Sequence, residues 1–261
     1  MTAIALQVKE VDFSYHDELV LRGVSLCLRA GELVGLIGPN GSGKTTLIRV
    51  MSGLLVPKRG RAWLDGRDIR TFNRRQIAQR MAVVPQELTM PFAFTTYEMV
   101  MMGRTPYVRP LLGAGPGDRE VVEEKMKLTN TLSLAERPFP ELSEGERQRG
   151  IIAMALAQEP EVLLLDEPTA HLDISYQVEV LELIRKLNRR EGLTVLATMH
   201  DLNLASLYFD RLILLNGGRV VADGSPAEVL RRGNIQRVFG AEVRVQDHPT
   251  RHVPQMFVLP S

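Results

Sequence analysis

Short apolar runs alternate with polar and glycine-rich stretches along this chain, which is the pattern of a layered α/β protein. Residues 4–8 alternate between apolar and polar side chains, and 19–28 form a second extended stretch, so both segments predict β-strands. Residues 33–37 are a short apolar run directly before a cluster of glycines, which is typical of a buried central strand. Residues 45–54 follow with helical character, and this helix is expected to end near Gly53.

The pattern continues with more strands and an intervening helix. Further apolar strands are predicted at 81–84, 162–165, 194–198 and 212–215. Between two of them, apolar residues recur every three or four positions from 175 to 190, which predicts a helix. Strands that alternate with helices predict a mainly parallel sheet.

The middle of the chain departs from this alternation. Segments 98–103, 118–133 and 145–158 have helical patterns, and no segment from about 96 to 157 has a convincing strand pattern. We interpret 96–157 as a helical subdomain inserted into one domain that covers residues 1–261. Beyond residue 224, two short helical patterns and a weakly alternating segment predict a C-terminal extension over 225–261.

Composition and charge exclude several classes of protein. The formal net charge is only +1, which argues against a protein that binds nucleic acid through a broadly basic surface. Cys27 is the single cysteine, so an intramolecular disulfide and a cysteine zinc site are excluded, and a reducing cytoplasm is the expected compartment. The apolar runs are far shorter than the roughly 20 residues that a membrane-spanning helix needs.

One glycine-rich segment fits a phosphate-binding loop at every fixed position of the pattern G-x-x-x-x-G-K-[ST]. Its residues are Gly38, Pro39, Asn40, Gly41, Ser42, Gly43, Lys44 and Thr45, and Thr46 follows. Glycines allow backbone N–H groups to converge on phosphate oxygens, and the following helix adds its positive end. Lys44 can reach the β- and γ-phosphates, and the Thr45 hydroxyl suits Mg²⁺. The alternative is a glycine-rich turn that only looks like a phosphate loop, and the strand before and the helix after favour phosphate binding.

A second segment carries the acidic residues that such a site needs. The apolar run 162–165 delivers Asp166 to the end of a strand, where its carboxylate can organise Mg²⁺ through water. Glu167 comes next and can polarise an attacking water molecule. Alone, Glu167 would more often be a solvated carboxylate at a strand end. Together with the phosphate loop, Asp166 and Glu167 predict nucleotide hydrolysis.

The stretch 142–149, Leu-Ser-Glu-Gly-Glu-Arg-Gln-Arg, resembles the signature motif of ATP-binding cassette (ABC) ATPases, which is usually written LSGGQ. The order of the other motifs agrees: the phosphate loop, Gln86, the signature, Asp166 with Glu167, residues 170–173, and His200. The resemblance covers nearly the whole chain, from about residue 8 to 224. It implies the P-loop NTPase fold of the ABC type, an α/β fold whose mainly parallel core sheet carries an antiparallel β subdomain and a helical subdomain.

The resemblance also implies roles for single residues. Tyr15 looks like the aromatic residue that stacks on adenine, the alternative being a core aromatic. Gln86 resembles the glutamine that touches Mg²⁺ or the attacking water and senses the transport subunit. His200 resembles the switch histidine that holds the γ-phosphate, although a lone histidine is more often a helix cap or a core residue. Asp173 resembles the aspartate that helps to join the two halves of a dimer.

The signature departs from the family pattern at two positions. Glu144 stands at the first usual glycine, and Glu146 stands at the usual glutamine. The family's γ-phosphate contacts match Ser143 and Gly145, which are present. A carboxylate beside a polyphosphate is unfavourable unless it points away or meets an arginine. We therefore expect Glu144 to face away from the nucleotide.

The family works as a dimer, so the resemblance implies two identical copies arranged head to tail around two ATP molecules. Ser143 and Gly145 of one copy would then act on the nucleotide of the other. Lys44 and Mg²⁺ would absorb developing charge, while Glu167 and His200 orient the attacking water. Integral-membrane permease subunits and, indirectly, a substrate-binding protein would be the partners, with this chain peripheral at the cytoplasmic face of the cell membrane.

Two segments indicate the kind of transport. Residues 94–107, with their Gly-Arg-x-Pro-Tyr piece, and 169–173 look like those of importer ATPases for iron-siderophore, haem or cobalamin. Alternatives are the ATPase of another ABC importer or exporter, or a soluble ABC ATPase of DNA repair, chromosome organisation or the ribosome. The short interval between the phosphate loop and the signature leaves no room for the long coiled coil of the repair types, and ribosome-associated types carry two cassettes.

Overall fold

The computed structural model describes residues 3–88, 92–108 and 113–259. Its strands are β1 (Ile4–Tyr15), β2 (Glu18–Arg29), β3 (Leu33–Ile37), β4 (Arg59–Leu64), β5 (Arg67–Asp68), β6 (Met81–Val84), β7 (Val162–Leu165), β8 (Thr194–Met199), β9 (Arg211–Asn216), β10 (Arg219–Gly224), β11 (Val243–Asp247) and β12 (Pro254–Val258). Its helices are α1 (Lys44–Met51), α2 (Arg74–Ala78), α3 (Thr96–Met101), α4 (Pro116–Leu128), α5 (Glu144–Leu156), α6 (Ile174–Glu191), α7 (Leu202–Tyr208), α8 (Pro226–Val229) and α9 (Arg232–Phe239). The chain divides into two compact units, one of Met1–Thr71 with Thr194–Ser261 and one of Phe72–Leu193.

The first unit contains an antiparallel sheet with the strand order β2-β1-β4-β5. Along β1, Leu6, Val8 and Val11 are buried, whereas several of their neighbours are exposed. Both strands expected here are confirmed, but β1 continues to Tyr15, and its burial does not alternate strictly because Ala5 and Leu6 are both buried. The sequence pattern missed β4 because only two of its six residues are buried, so pairing with β1 rather than a strong apolar signal determines this strand.

Parallel strands in the first unit bring two predicted site segments to one edge. Strand β3 pairs in parallel with β8 and β9, and Ile37 stands opposite Met199. All residues of β3 and β8 are buried, as a central strand requires. Because the carboxyl ends of parallel strands meet at the same edge, the phosphate loop after β3 and His200 after β8 both start there.

The second unit contains a parallel strand pair and most of the helices. Val84 at the end of β6 stands opposite Leu165 at the end of β7. The segment 96–157 has helices α3, α4 and α5 and short 3-10 turns, and α5 packs against the other two helices. Its described residues contain no strand and only isolated bridges, among them the one from Thr95 to Pro138. The helices, the mainly parallel sheet and the separate antiparallel sheet confirm the fold class that the sequence predicts.

Several predicted boundaries need correction. The helix expected over 45–54 is shorter, because the chain ends α1 at Met51 and then passes through Gly53 in a left-handed conformation. The helix expected over 118–133 is α4, which ends at Leu128. Residues 98–103 are the end of α3 followed by a 3-10 turn.

A buried arginine joins the helices of the second unit. The side chain of Arg104 is only 7% exposed, and it donates to Asp118 at 2.9 Å, to Glu159 at 2.7 Å and to the carbonyl oxygen of Ala157 at 2.7 Å. Its guanidinium also lies 4.0 Å from the centre of the Tyr107 ring. This network ties the turn after α3 to α4 and to the end of α5. The Gly-Arg-x-Pro-Tyr piece therefore has a structural role in this unit.

Replacement of Arg104 by methionine should destabilise the protein strongly. Methionine keeps much of the volume but leaves Asp118 and Glu159 without their cation, which costs about 2–4 kcal/mol of the free energy of unfolding. Arg59→Met is the matched control, because Arg59 is 70% exposed and its ion pairs span 3.9 and 4.0 Å. Urea denaturation of both variants measures the difference, and equal small losses would contradict the role given to Arg104.

Candidate functional site

The phosphate loop of the first unit has a backbone path that only glycine permits at its two ends. Gly38 has a φ of 154°, and a Cβ there would lie 2.1 Å from the carbonyl oxygen of Leu215. Gly43 has a φ of 102°, and a Cβ there would lie 2.9 Å from Leu21. The loop therefore turns tightly between β3 and α1, so that its backbone comes close to whatever occupies its concave side.

Lys44 folds back over this loop. Its ammonium donates to the carbonyl oxygen of Gly38 at 2.9 Å and to that of Pro39 at 3.2 Å, and the residue is 5% exposed. The first turn of α1 contains no acidic residue and receives no side-chain cap. The positive end of this helix and the lysine therefore act in the same place, with no carboxylate of the helix to oppose them.

The side chain of Ser42 shows that the loop suits an anion with several acceptors. Ser42 is 2% exposed, and its hydroxyl has no hydrogen-bond partner among the described residues. A buried hydroxyl without a partner costs free energy, and a phosphate oxygen would satisfy it. With the helix start and Lys44, this makes a donor set that fits a polyphosphate. Thr45 is partly buried and Thr46 is buried beside it.

Two more predicted residues lie in the first unit. His200 is exposed and directly follows β8, at the edge where the phosphate loop starts. Tyr15 ends β1 and is 41% exposed, with its ring edge-to-face against Phe13 at 4.9 Å. Arg49 donates to the Tyr15 hydroxyl at 3.4 Å. This exposure disfavours the alternative of a core aromatic and leaves the ring available for stacking on a base.

The second unit brings together Gln86 and Glu167. Gln86 follows β6 and Glu167 follows β7, and the Gln86 amide donates to the Glu167 carboxylate at 2.8 Å. Asp166, 4% exposed, donates its backbone N–H to the carbonyl oxygen of Val84 at 2.9 Å. Glu167 has a φ of 53°, which is unusual for a residue with a side chain and is often found at functional sites. The parallel β6–β7 pair thus places three polar site candidates at one strand edge.

The signature serine is already engaged within its own helix. Ser143 caps α5, and the Glu146 carboxylate accepts from its backbone N–H at 2.8 Å and from its hydroxyl at 2.9 Å. The pKa of Glu146 is lowered by the Ser143 N–H first, and further by the Ser143 hydroxyl and by Arg137. Glu146 is therefore ionised at neutral pH and retains the hydroxyl that we expected to contact phosphate. The capping-box spacing Ser-x-x-Glu carried this signal, and our interpretation of the motif missed it.

The other signature positions have distinct surroundings. Glu144 is exposed on the first turn of α5. Gly145 is buried, and a Cβ there would lie 2.5 Å from the Tyr176 ring of α6, so close packing of the two helices requires glycine. Asp173 is exposed at the start of α6 and makes no side-chain cap there. Its part in joining two copies stays a prediction.

The fold and the phosphate loop define a P-loop nucleotide hydrolase. The family model that matches the chain is that of the ABC transporter, over residues 21–170. This chain belongs to that family, whose ATP-binding proteins hydrolyse ATP to power transport. Among the described helices, none has the length and the apolar character that a membrane crossing requires.

Named relatives match over nearly the whole chain. The ferric enterobactin transport ATP-binding protein FepC of Escherichia coli is 38% identical over 95% of this chain and 92% of its own length. The hemin import ATP-binding protein HmuV of Rhodococcus jostii is 40% identical over 95% of this chain and 84% of its own. The uncharacterized Bacillus subtilis protein YvrA is 39% identical over 94% of this chain, which spans only 56% of the length of YvrA.

Solved structures agree with these relatives. A metal-chelate type ABC transporter in an inward-facing conformation has a TM-score of 0.87 and 27% identity, with 99% of this chain and 98% of that chain covered. The ATP-binding cassette MJ0796, dimeric in a post-hydrolysis state with ADP and Pi, has a TM-score of 0.73 and 28% identity over 84% of this chain and 98% of its own.

The negative charge of Glu146 should raise the KM for ATP. Glu146→Gln removes a negative charge from the helix start that holds Ser143, so we expect the KM for ATP to fall about fivefold, which corresponds to about 1 kcal/mol. Glu144→Gln is the matched control, because it removes an exposed carboxylate from the same helical turn. Steady-state ATPase kinetics measure both. An equal effect of the two variants would show that the Glu146 contact with Ser143 has no special influence.

Proposed function

We propose that this chain is the ATP-hydrolysing subunit of an ABC importer that takes up a metal chelate of the iron-siderophore, haem or cobalamin kind. The observation that carries the proposal is the near full-length similarity to the ATPases of ferric enterobactin and hemin import. The similarity to the metal-chelate type transporter supports the same substrate class. Of the three chelates, the names of these relatives favour siderophore and haem.

Within this proposal the phosphate loop binds the triphosphate. Backbone N–H groups of residues 38–43, the Ser42 hydroxyl, Lys44 and Thr46 donate to phosphate oxygens, and Tyr15 stacks on the adenine. Thr45, Gln86 and Asp166 would hold Mg²⁺, which supplies positive charge at the β- and γ-phosphate oxygens when it is bound. Hydroxyl, amide and carboxylate oxygens are the donors that this ion prefers, so the residues fit it.

The same residues support hydrolysis by water. The Glu167 carboxylate is held by the Gln86 amide, so one of its oxygens is oriented while the carboxylate accepts a hydrogen bond from the attacking water. His200 holds the γ-phosphate from the edge of the first unit's parallel strands, and Lys44 compensates charge that develops on the transferred group. Gln86 thereby links the water-activating carboxylate to the segment that we expect to sense a membrane subunit.

We further propose that two identical copies form the working unit. Each chain has one phosphate loop and one signature, and the dimeric MJ0796 cassette supports a paired arrangement. Ser143 and Gly145 of one copy would then face the nucleotide of the other, with Asp173 beside the shared interface. For Ser143 to donate to phosphate, its hydroxyl must leave Glu146 or share its hydrogen bond.

The proposed partners follow from the names of the relatives and from the surface. Integral-membrane permease subunits would receive this chain at the cytoplasmic face of the cell membrane, and a substrate-binding protein would act through them. Phe92, which follows Gln86 closely in the sequence, is 69% exposed and offers an apolar side chain for contact with a membrane subunit. The net charge of +1 gives no support to binding of nucleic acid.

Reconstitution with the membrane subunits tests the proposed function. Proteoliposomes that contain the complete transporter should accumulate a ferric siderophore or haem when ATP and Mg²⁺ are supplied. Lys44→Ala should abolish ATP turnover and uptake, because it removes the cation that we place at the γ-phosphate. Wild-type turnover by the Lys44→Ala variant would contradict the site. Uptake of none of the three chelate classes by an active transporter would contradict the substrate.

Glu167→Gln should retain ATP binding and trap the closed dimer. The amide keeps the shape of the side chain but loses the negative charge that orients water, so hydrolysis should fall by about 100-fold or more. Glu161→Gln is the control, because Glu161 is an exposed carboxylate just before the same strand. Sizing chromatography with MgATP measures the assembly, and a Glu167→Gln variant that stays monomeric would contradict the proposed dimer.

A further inference from the structure

The C-terminal hairpin of β11 and β12 is hydrogen-bonded to α7, the helix that follows His200. The side-chain oxygen of Asn203, in α7, accepts from the backbone N–H of Met256 at 2.7 Å, and its side-chain NH₂ donates to the carbonyl oxygen of Met256 at 3.2 Å. A side-chain amide with this pairing takes the place of a neighbouring strand. Asn203 thus satisfies both backbone hydrogen-bonding groups of Met256.

A second contact strengthens the same junction. The amide of Gln255 donates to the backbone carbonyl oxygen of Asn203 at 3.3 Å. Met256 is only 9% exposed, and α7 packs along β12. Hydrogen bonds from two consecutive residues of β12 therefore converge on one residue of α7. These residues are more than fifty positions apart in sequence, so the junction is a long-range feature of the fold.

Asn203 is also hydrogen-bonded to Asp201, the residue that follows His200. Asp201 caps α7, and its carboxylate accepts from the backbone N–H of Asn203 at 2.8 Å and of Leu204 at 2.9 Å. The backbone of Asn203 therefore connects the Asp201 cap to the hairpin. If Asn203 moved away from β12, the peptide groups that the Asp201 cap holds would move with it, and His200 directly precedes that cap.

The hairpin has its own support apart from Asn203. Strands β11 and β12 pair continuously from Val243 with Val258 to Asp247 with Pro254. Helix α9 packs against β11, and Arg232 forms an ion pair with Glu242 just before that strand. The hairpin can therefore act as a fixed anchor for α7, and loss of the Asn203 amide should release α7 without unfolding β11 and β12.

We infer that Asn203 is a positioning residue for His200, and that the C-terminal hairpin is the anchor that holds it. The inference depends on the proposed role of His200 at the γ-phosphate. The hairpin keeps the start of α7 in place, and the His200 backbone is thereby fixed at the strand edge where the phosphate loop begins. This gives the C-terminal extension a part in ATP hydrolysis although none of its residues is placed at the nucleotide.

Asn203→Ala tests this inference against two matched variants. Gln255→Ala removes one hydrogen bond of the junction, and Gln246→Ala removes an exposed amide from β11 of the same hairpin. We expect kcat, expressed per bound nucleotide, to fall about fivefold or more in Asn203→Ala, with the KM for ATP within about twofold of wild type. Gln255→Ala should show a smaller fall in kcat, and Gln246→Ala should behave as wild type.

Hydrogen exchange provides a readout that does not need activity. Backbone amides of residues 201–206 should exchange about tenfold faster in Asn203→Ala than in the Gln246→Ala control, while those of β8 stay unchanged. A merely structural role would lower the thermal stability but leave kcat per bound nucleotide as in wild type, and that result would overturn the inference.

The outcomes separate the inference from the proposed function. If the wild type hydrolyses ATP and Asn203→Ala retains its kcat, the inference fails and the proposed function stands. If the wild type hydrolyses no ATP, the proposed function fails. Hydrogen exchange then tests the anchor separately, because unchanged exchange at residues 201–206 in Asn203→Ala would contradict it. If Asn203→Ala does not fold, Gln255→Ala decides, because a reduced kcat at unchanged KM supports the inference and an unchanged kcat overturns it.

Discussion

The proposed function depends most on one feature of the phosphate loop. Its backbone N–H groups lie close together in a tight turn and can all reach one bound anion. A triphosphate carries dense negative charge, and fixed N–H groups in a tight turn can receive it without reorganisation. That turn exists because Gly38 and Gly43 adopt conformations in which a Cβ would collide with neighbouring atoms. The Lys44 ammonium donates to two carbonyl oxygens of the loop, and the Ser42 hydroxyl, which has no partner in the described part of the chain, remains available for an added acceptor.

The parallel strands distribute the rest of the chemistry. In the first unit the register of β3 with β8 places the phosphate loop and His200 at one edge. In the second unit the register of β6 with β7 places Gln86 and Glu167 at one edge, where the Gln86 amide donates a hydrogen bond to the Glu167 carboxylate. Within each unit, the placement of these residues follows from a simple rule of sheet geometry, because the carboxyl ends of parallel strands meet at the same edge.

Local signals predicted the parts of the fold that are buried on all sides. Strand β3 and the strand before Asp166 are continuous apolar runs, so their place and the polar residues at their ends followed from the sequence alone. Strands β4 and β10 were missed because few of their residues are buried, two of six in β4 and none in β10, so pairing with an antiparallel neighbour rather than an apolar pattern defines them. The Arg104 network and the bonds from Asn203 to β12 join residues far apart in the chain, and no local pattern predicts such partners.

The signature motif shows the limit of reasoning from resemblance. The signature and the order of the other motifs along the chain indicated the family correctly. However, the resemblance assigns the Ser143 hydroxyl to the nucleotide, and in the structure that hydroxyl donates to the Glu146 carboxylate. In the proposed dimer the second copy and its triphosphate must compete with that carboxylate. The signature of this chain therefore has an acidic competitor where a glutamine is usual.

The central claim is that the phosphate loop of one copy faces the signature of another. Cross-linking between positions 40 and 144 tests it most directly, because Asn40 of the phosphate loop and Glu144 of the signature are exposed and Lys44 and Ser143 stay in place. Single cysteines are placed there in a Cys27→Ser background that also carries Glu167→Gln. The account predicts that MgATP brings the two positions of different copies within reach of a short cross-linker and that they separate without nucleotide. Absence of an intermolecular cross-link while nucleotide is bound would contradict the account.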